Sequence, residues 1–219
     1  MSSETKYKLY AKASPDGKGL GDCPFTQRAN LALTIKGVTP EYIYIDLHNK
    51  PDWFFQINPE GSVPVLDTGD RKITQSAEIV IFAEEKYPNP TLRQPGNDKA
   101  MEVSQNIFNV FGAWAKNKEE SKTGELKQAF IAELSKINDY LVSNGGPMLC
   151  GKEWSISDCH FAPRIYHIQA VAKHYLKYNG VGEMPGIKAY MDFVFNSEPF
   201  KRTGYPEEYI LEGWAKYFS

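Results

Sequence analysis

The chain has 219 residues, 42% of them hydrophobic and 24% charged, which is the composition of an ordinary globular protein. A chain of this length can bury about 70–75% of its unfolded surface, so it needs neither disulfides nor metals to stay folded. The formal net charge of −2 excludes a global electrostatic basis for binding nucleic acid or an acidic membrane.

No run reaches the roughly 18 consecutive apolar residues that a membrane-spanning helix needs. The first ten residues, MSSETKYKLY, lack the apolar region of a signal peptide and the arginine-rich bias of a transit peptide. We therefore expect a cytoplasmic protein. A chloroplast form would need a transit segment that this sequence does not include.

The three cysteines, Cys23, Cys150 and Cys159, are an odd number, which argues against a disulfide framework and favours a reducing compartment. Neither they nor the four histidines show CxxC or HExxH spacing, so the sequence predicts no metal site. An isolated cysteine is more often a small buried hydrophobe than a nucleophile, and we interpret Cys150 and Cys159 in that way.

Residues 1–88 alternate short β-like runs with amphipathic helices in the order β-α-β-α-β-β-α. Strands are predicted over Tyr7–Lys12 and Glu41–Leu47, and between them a helix runs from Phe25 to Lys36 and ends at Gly37. The remaining elements are a short helix in KPDWFFQINP, two short strands in SVPVLDTGDRKIT and a helix in SAEIVIFAEEKYP. Strand-helix-strand crossovers predict parallel neighbours, and the last two strands predict a hairpin.

Residues 89–98 are rich in proline, asparagine and glycine, which indicates a linker. From residue 99 to 219 the apolar residues recur at helical spacing, so this part is predicted to be all-helical. Long helices are predicted over residues 99–117, 124–144 and 155–177, with shorter ones after them. The last long helix opens on Ser155-Ile156-Ser157-Asp158, the pattern of a capping box.

The stretch GDCPFTQR places Cys23 directly before Pro24 at a predicted helix start. Proline fits the first helical turn, so Cys23 takes the N-cap position. A sulfur atom there faces unpaired N–H groups and the positive end of the helix dipole, which lowers a thiol pKa. We therefore expect Cys23 to be a nucleophile with a lowered pKa, and the alternative is a packing residue. Thr26 cannot close a disulfide, so a redox cycle would need an outside thiol.

Near-complete ionisation of this thiol at neutral pH needs a pKa shift of about three units, or roughly 4 kcal/mol. The helix dipole supplies only about 0.3–2 kcal/mol. Hydrogen bonds from N–H groups and a nearby cation must supply the rest, and Lys12 and Lys50 are the candidate cations. Asp22 would act in the opposite direction if it lies close.

Two further motifs follow along the chain. In GSVPVLD, Val63 precedes Pro64 ahead of a strand, which is typical of an edge or turn position with a cis bond. In TQSAEI, Ser76 follows Gln75 at a helix start, where backbone N–H groups can bind a carboxylate. Turn chemistry alone also explains the Val-Pro pair, and capping alone explains the serine.

These three features, in this order and spacing, resemble the glutathione transferase superfamily over nearly the whole chain. In detail the sequence is similar to the dehydroascorbate reductases of plants and algae. The segments that carry this resemblance are GDCPFTQRANLAL, KPDWFFQINPEGSVPVL, EEKYPNPTL, FAPRIYHI and GWAKY. It implies a thioredoxin-like, glutathione-binding α/β domain over residues 1–88 and an all-α domain over residues 99–219.

The resemblance also implies roles for single residues. Cys23 would be the catalytic thiol, Val63 would pair its backbone with glutathione beside cis-Pro64, and Gln75 and Ser76 would hold the γ-glutamyl end. The residues implied to line the active-site pocket are Lys12, Asp22, Lys50, His167 and Trp214, with Lys50 also contacting glutathione. The compared reductases have Asp-Ser where this chain has Gln75-Ser76, which predicts weaker pairing with the glutathione amine.

Taken alone, the residue patterns leave some of these roles open. His167 and Trp214 are equally explained as core side chains of a helical domain. Lys12 and Lys50 are equally explained as solvated surface charges.

The activity implied is glutathione-dependent reduction of dehydroascorbate to ascorbate, through a thiohemiketal and then a mixed disulfide on Cys23. Glutathione would be the co-substrate, no metal would be needed, and the protein would be a monomer without stable membrane insertion. Three alternatives are an omega-like glutathione thioltransferase, a membrane-inserting protein like the chloride intracellular channels, and a non-catalytic scaffold. Gln27, Arg28 and Asn30 make the first helix a poor membrane span.

Overall fold

The computed structural model describes residues 7–219, and the chain divides into two compact units. The first unit contains the described residues up to Thr91 together with Pro199–Tyr209. The second contains Leu92–Glu198 and Ile210–Ser219. The cut after Thr91 falls within residues 89–98, which the sequence assigns to a linker.

The first unit alternates strands and helices as the sequence predicts. Its elements are β1 (Lys8–Lys12), α1 (Pro24–Ile35), β2 (Glu41–Ile45), α2 (Asp52–Ile57), β3 (Val65–Asp67), β4 (Lys72–Ile73) and α3 (Ser76–Lys86). Helix α1 packs against α3, and nine of its residues, Pro24 and Thr26–Leu33, are buried. The start of α1 is therefore held by packing along most of the helix behind it.

The four strands form one sheet in the order β2-β1-β3-β4. Strand β1 pairs with β2 in parallel, and β3 pairs with β4 as the predicted hairpin. The expectation that both crossovers give parallel neighbours is wrong for the second one, because β3 lies antiparallel beside β1. A six-residue α2 and the loop after it return the chain in the reverse direction rather than completing a full crossover.

A small apolar cluster forms the core on which the candidate site is built. Tyr10, Ile45, Phe54 and Val65 are buried together, and they come from β1, β2, α2 and β3. Val63 is half-buried against the same cluster, so the loop that precedes β3 is anchored by apolar contacts.

The second unit is helical. Its elements are α4 (Asn97–Ser104), α5 (Ile107–Ala115), α6 (Glu120–Ser143), α7 (Ile156–His174), α8 (Gly180–Glu183) and α9 (Pro185–Val194), and the last two helices of the chain are α10 (Glu198–Thr203) and α11 (Glu207–Ala215). The single helix predicted over residues 99–117 is instead two helices, α4 and α5. The Ser104 hydroxyl donates to the Ala100 carbonyl at 2.7 Å, and this kind of bond back to the preceding turn bends a helix.

The start of α7 is the predicted capping box. The Asp158 N–H donates to Ser155 Oγ at 3.1 Å, and the Ser155 N–H donates to Asp158 Oδ2 at 3.0 Å. The same carboxylate accepts from the Leu149 N–H at 3.0 Å, so it also fixes the loop before the helix.

Within residues 7–219, no helix combines the length and the apolar character that crossing a bilayer requires. The same residues contain no group of three or more histidine, cysteine, aspartate or glutamate side chains placed to hold a metal ion.

Candidate active site

Cys23 is the N-cap of α1, as the sequence predicts. Its backbone is extended, with φ −118° and ψ 106°, and Pro24 follows in the first turn. The Thr26 N–H donates to the Cys23 sulfur at 3.4 Å. One of the unpaired donors of the first turn is therefore aimed at the thiol.

Gly21 lets the segment before Cys23 turn tightly against the end of β1. The Gly21 N–H donates to the Lys12 carbonyl at 2.8 Å, and the Cys23 N–H donates to the Gly21 carbonyl at 2.9 Å. A Cβ atom at position 21 would lie 2.2 Å from the Ala13 carbonyl oxygen, which no side chain tolerates. The absence of a side chain here is what brings the sulfur close to the end of the strand.

The pKa of the Cys23 thiol is shifted in the direction opposite to the prediction. Burial raises this pKa and is the largest influence, since only 7% of the residue is exposed. The Thr26 hydroxyl, the backbone N–H groups of Thr26 and Phe25, and the Lys12 charge all lower it, in that order of size. Desolvation of the thiolate therefore outweighs the first-turn donors.

Lys12 and Asp22 form an ion pair beside this cysteine. Lys12 Nζ lies 2.6 Å from Asp22 Oδ1, and both side chains are largely covered. The paired carboxylate offsets much of the positive charge that Lys12 presents to the sulfur. Of the groups that lower the thiol pKa, Lys12 has the smallest influence.

The Val63–Pro64 peptide bond is cis, and it directly precedes β3. The loop before it is held by Asn58, whose amide donates to the Ser62 carbonyl at 2.9 Å and to the Ser62 hydroxyl at 3.0 Å. The Val63 backbone thus enters the strand from a fixed loop rather than from a free one.

Gly61 places Lys50 next to this loop. Gly61 has φ +62°, and a Cβ atom there would lie 3.2 Å from Lys50 Nζ and 2.8 Å from the Phe55 ring. The Lys50 ammonium also lies over the Phe55 ring, 5.9 Å from its centroid. The Lys50 side chain is therefore positioned by its contact with the Phe55 ring and by the absence of a side chain at Gly61.

Gln75 and Ser76 lie at the start of α3. Gln75 is the N-cap, with φ −106° and ψ 125°, and its exposed side chain makes no capping hydrogen bond. Ser76 is buried as the first helical residue. Within residues 7–219, the N-cap side chain therefore leaves the first-turn N–H groups of this helix without a capping hydrogen bond.

His167 and Trp214 belong to the second unit, where the structure brings them together. Trp214 Nε1 donates to His167 Nδ1 at 3.3 Å, and the two residues are 1% and 7% exposed. The Phe108 ring meets each of them edge-on. The contacts described for these two side chains are thus those of a packed aromatic cluster.

Thr26 and Gly61 are functional candidates that sequence reasoning missed. Thr26 stands three residues after the N-cap, which is the position whose N–H a capping side chain accepts, so capping geometry could have identified it. Gly61 carried no comparable signal, because the close approach of Lys50 exists only in the folded unit.

The first unit matches the family model of the glutathione S-transferase N-terminal domain over residues 22–86. A rice (Oryza sativa subsp. japonica) protein named probable glutathione S-transferase DHAR1, cytosolic, is 38% identical over 197 residues, which are 90% of each chain. The chain belongs to the glutathione S-transferase family.

Two further proteins are similar to this chain over most of its length. The Arabidopsis thaliana protein named glutathione S-transferase DHAR3, chloroplastic, is 37% identical, over 89% of this chain and 74% of that one. The crystal structure of Chlamydomonas reinhardtii dehydroascorbate reductase superposes with a TM-score of 0.88, at 26% identity and over 98% of this chain and all of that one. The resemblance that the sequence motifs indicate, and the fold class that it implies, are confirmed.

Proposed function

We propose that this protein is a glutathione-dependent dehydroascorbate reductase. The observation that carries the proposal is the Cys23 sulfur at the N-cap of α1, with the Thr26 N–H directed at it and the Lys12 charge acting on it. The similarity of the whole chain to proteins of that name supports the same assignment. The Thr26 N–H and the Lys12 charge favour the thiolate, which is the form of cysteine that acts as a nucleophile.

In the first step the Cys23 thiolate attacks an electrophilic carbonyl carbon of dehydroascorbate and forms a C–S bond. The carbonyl electron pair moves to oxygen, which takes up a proton and gives a thiohemiketal. Lys12 and Lys50 stabilise the negative charge that develops on the substrate. Since burial raises the pKa of the thiol, the reactive thiolate is a minor species at neutral pH, and turnover rises with pH.

In the second step the thiolate of one glutathione attacks the Cys23 sulfur. The C–S bond breaks, its electron pair passes to the substrate, and protonation releases ascorbate. A second glutathione then attacks the resulting mixed disulfide, which frees the Cys23 thiolate and forms oxidised glutathione. Two glutathiones are oxidised for each dehydroascorbate reduced, so the electrons balance.

The residues present fit glutathione as a co-substrate. The Val63 backbone, entering β3 beside cis-Pro64, would pair with the cysteinyl part of the tripeptide. The uncapped N-terminus of α3, with Ser76, would hold the γ-glutamyl carboxylate, and Gln75 would hydrogen-bond its amine. Lys50 would contact the same molecule. Asp22, His167 and Trp214 are proposed to contribute to substrate binding.

The proposal extends to the setting of the enzyme. We propose that it acts as a monomer in the cytoplasm without inserting into membranes, with glutathione as co-substrate and no metal. The relatives include proteins named cytosolic and chloroplastic, so localisation of the tagged full chain by microscopy tests this assignment.

The decisive experiment is an assay of the purified protein with dehydroascorbate and glutathione, run beside a glutathionylated peptide as the competing substrate. Ascorbate formation that requires glutathione, with a higher kcat/KM than the peptide gives, is the expected result. A preference for the peptide would identify a thioltransferase instead. Absence of both activities in a folded protein would contradict the proposal.

A further inference from the structure

A second candidate site lies within the first unit, in a groove of about 440 Å³ beside the edge strand β2. This volume is in the range of small-molecule sites. The residues that line the groove are Ser14, Asp16, Lys18, Gly19, Leu20, Tyr42, Tyr44, Arg202, Gly204, Tyr205, Pro206 and Tyr209. Cys23, Lys50, Val63 and Gln75 are not among them, so the groove is separate from the lining of the proposed active site.

Four tyrosine side chains line the groove. Tyr42 and Tyr44 are alternate residues of β2, and their rings are nearly parallel, with centroids 6.1 Å apart and an interplanar angle of 6°. Tyr205 and Tyr209 add two more rings to the lining. Aromatic rings arranged in this way favour stacking with a planar ring of a ligand.

The charges of the groove favour an anion. Lys18 and Arg202 contribute two positive charges against the one carboxylate of Asp16. The Asp16 oxygen already accepts from the Ser14 hydroxyl at 2.5 Å and from the Lys18 N–H at 3.1 Å. Its capacity is partly used within the loop, whereas arginine and lysine are the side chains that bind phosphate.

A buried amide holds one of these tyrosine rings in place. Asn30 is fully buried, its Oδ1 accepts from the Tyr42 hydroxyl at 2.8 Å, and its Nδ2 has no partner among the described residues. This bond fixes the Tyr42 ring.

We propose that this groove binds a nucleoside monophosphate. The base would stack on the tyrosine rings, and the phosphate would pair with Arg202 and Lys18. A sugar alone would leave the cations unused, and phosphate alone would leave the rings uncovered.

The test is isothermal titration of the full chain with AMP, with adenosine and inorganic phosphate as partial ligands. AMP should bind with a submillimolar Kd, and each partial ligand should bind at least tenfold more weakly. Arg202→Gln should weaken AMP binding about tenfold, while Lys201→Gln, an exposed cation next to it that does not line the groove, should leave binding unchanged.

A Kd above 10 mM for AMP, equal binding of phosphate alone, or equal effects of Arg202→Gln and Lys201→Gln would overturn the proposal. Competition between AMP and glutathione would also overturn it, because the ligand would then occupy the proposed active site.

Discussion

Cys23 and Asp158 are both acidic groups buried at helix starts, but Cys23 is a candidate for catalysis whereas Asp158 stabilises the fold. Cys23 at α1 and Asp158 at α7 each have a pKa raised chiefly by burial. The Asp158 carboxylate accepts from the Leu149 and Ser155 N–H groups and from the Ser155 hydroxyl. The Cys23 sulfur accepts one backbone N–H at 3.4 Å. The hydrogen bonds to the carboxylate hold the start of α7 in place, whereas the sulfur has lone pairs left that can react with a substrate.

The largest effect should come from removing the sulfur. Cys23→Ser should lower glutathione-dependent dehydroascorbate reduction by at least about 1,000-fold, because a serine hydroxyl is a far weaker nucleophile and cannot form a mixed disulfide. Its melting temperature should stay close to wild type, since a serine is a good N-cap. Cys150→Ser is the matched control and should keep its activity. A Cys23→Ser enzyme with a tenth of wild-type activity would refute the assignment.

The Asp158 side of the comparison is tested by stability against pH. Its pKa is about 6 in the folded protein and 3.8 ordinarily, so the folded state binds the proton more tightly. The stability from this group is fully present below pH 3.8 and is lost as pH rises through about 6, which amounts to about 3 kcal/mol. When the free energy of unfolding of Asp158→Asn is measured in urea at a series of pH values, it should not fall in this way as pH rises.

The control is Asp139→Asn, which removes an exposed carboxylate from α6 and should keep the wild-type dependence on pH. Asp158→Asn should be less stable than wild type at every pH, because an amide cannot accept all three hydrogen bonds. Identical slopes between pH 4 and 7 for wild type and Asp158→Asn would contradict the raised pKa.

The ion pair beside Cys23 should give a smaller effect. Lys12→Gln removes a charge that lowers the thiol pKa, so alkylation of Cys23 by iodoacetamide at pH 8 should slow by about 2–5-fold. Asp22→Asn releases Lys12 from its partner and should accelerate the same reaction. Lys8→Gln, at the exposed start of β1, is the control. Equal rates in all three variants would exclude an electrostatic role for the pair.

The smallest effect concerns the start of α3. Gln75→Asp should lower the KM for glutathione about 2–5-fold, because the carboxylate can pair with the glutathione amine. Gln75→Asn is the matched control, since asparagine is an equally good N-cap without charge. If the asparagine variant lowers KM as much as the aspartate variant, helix capping rather than charge explains the change.

Features that depend on a few neighbouring residues could be predicted from the sequence. The Cys23 N-cap follows from Pro24, and the α7 capping box follows from Ser155 and Asp158, because both depend on hydrogen bonds within one turn. The cis bond at Val63–Pro64 follows from a proline at the entry to a strand. The family could be predicted because several such motifs occur in a fixed order along the sequence.

Features that depend on distant parts of the chain could not be predicted. The pairing of β3 with β1, the break after Ser104 and the inclusion of Pro199–Tyr209 in the first unit are decided by tertiary packing. The predicted direction of the Cys23 pKa shift was wrong for the same reason. The helix start was visible in the sequence, but the atoms that exclude water from the sulfur were not.

The most direct test of the central claim is peptide mapping by mass spectrometry. The protein is incubated with glutathione and a limiting amount of dehydroascorbate and is then quenched in acid to trap mixed disulfides. We expect one glutathione on Cys23 and none on Cys150 or Cys159. Turnover that proceeds with glutathione bound only at Cys150, or with Cys23 unmodified throughout, would contradict the account.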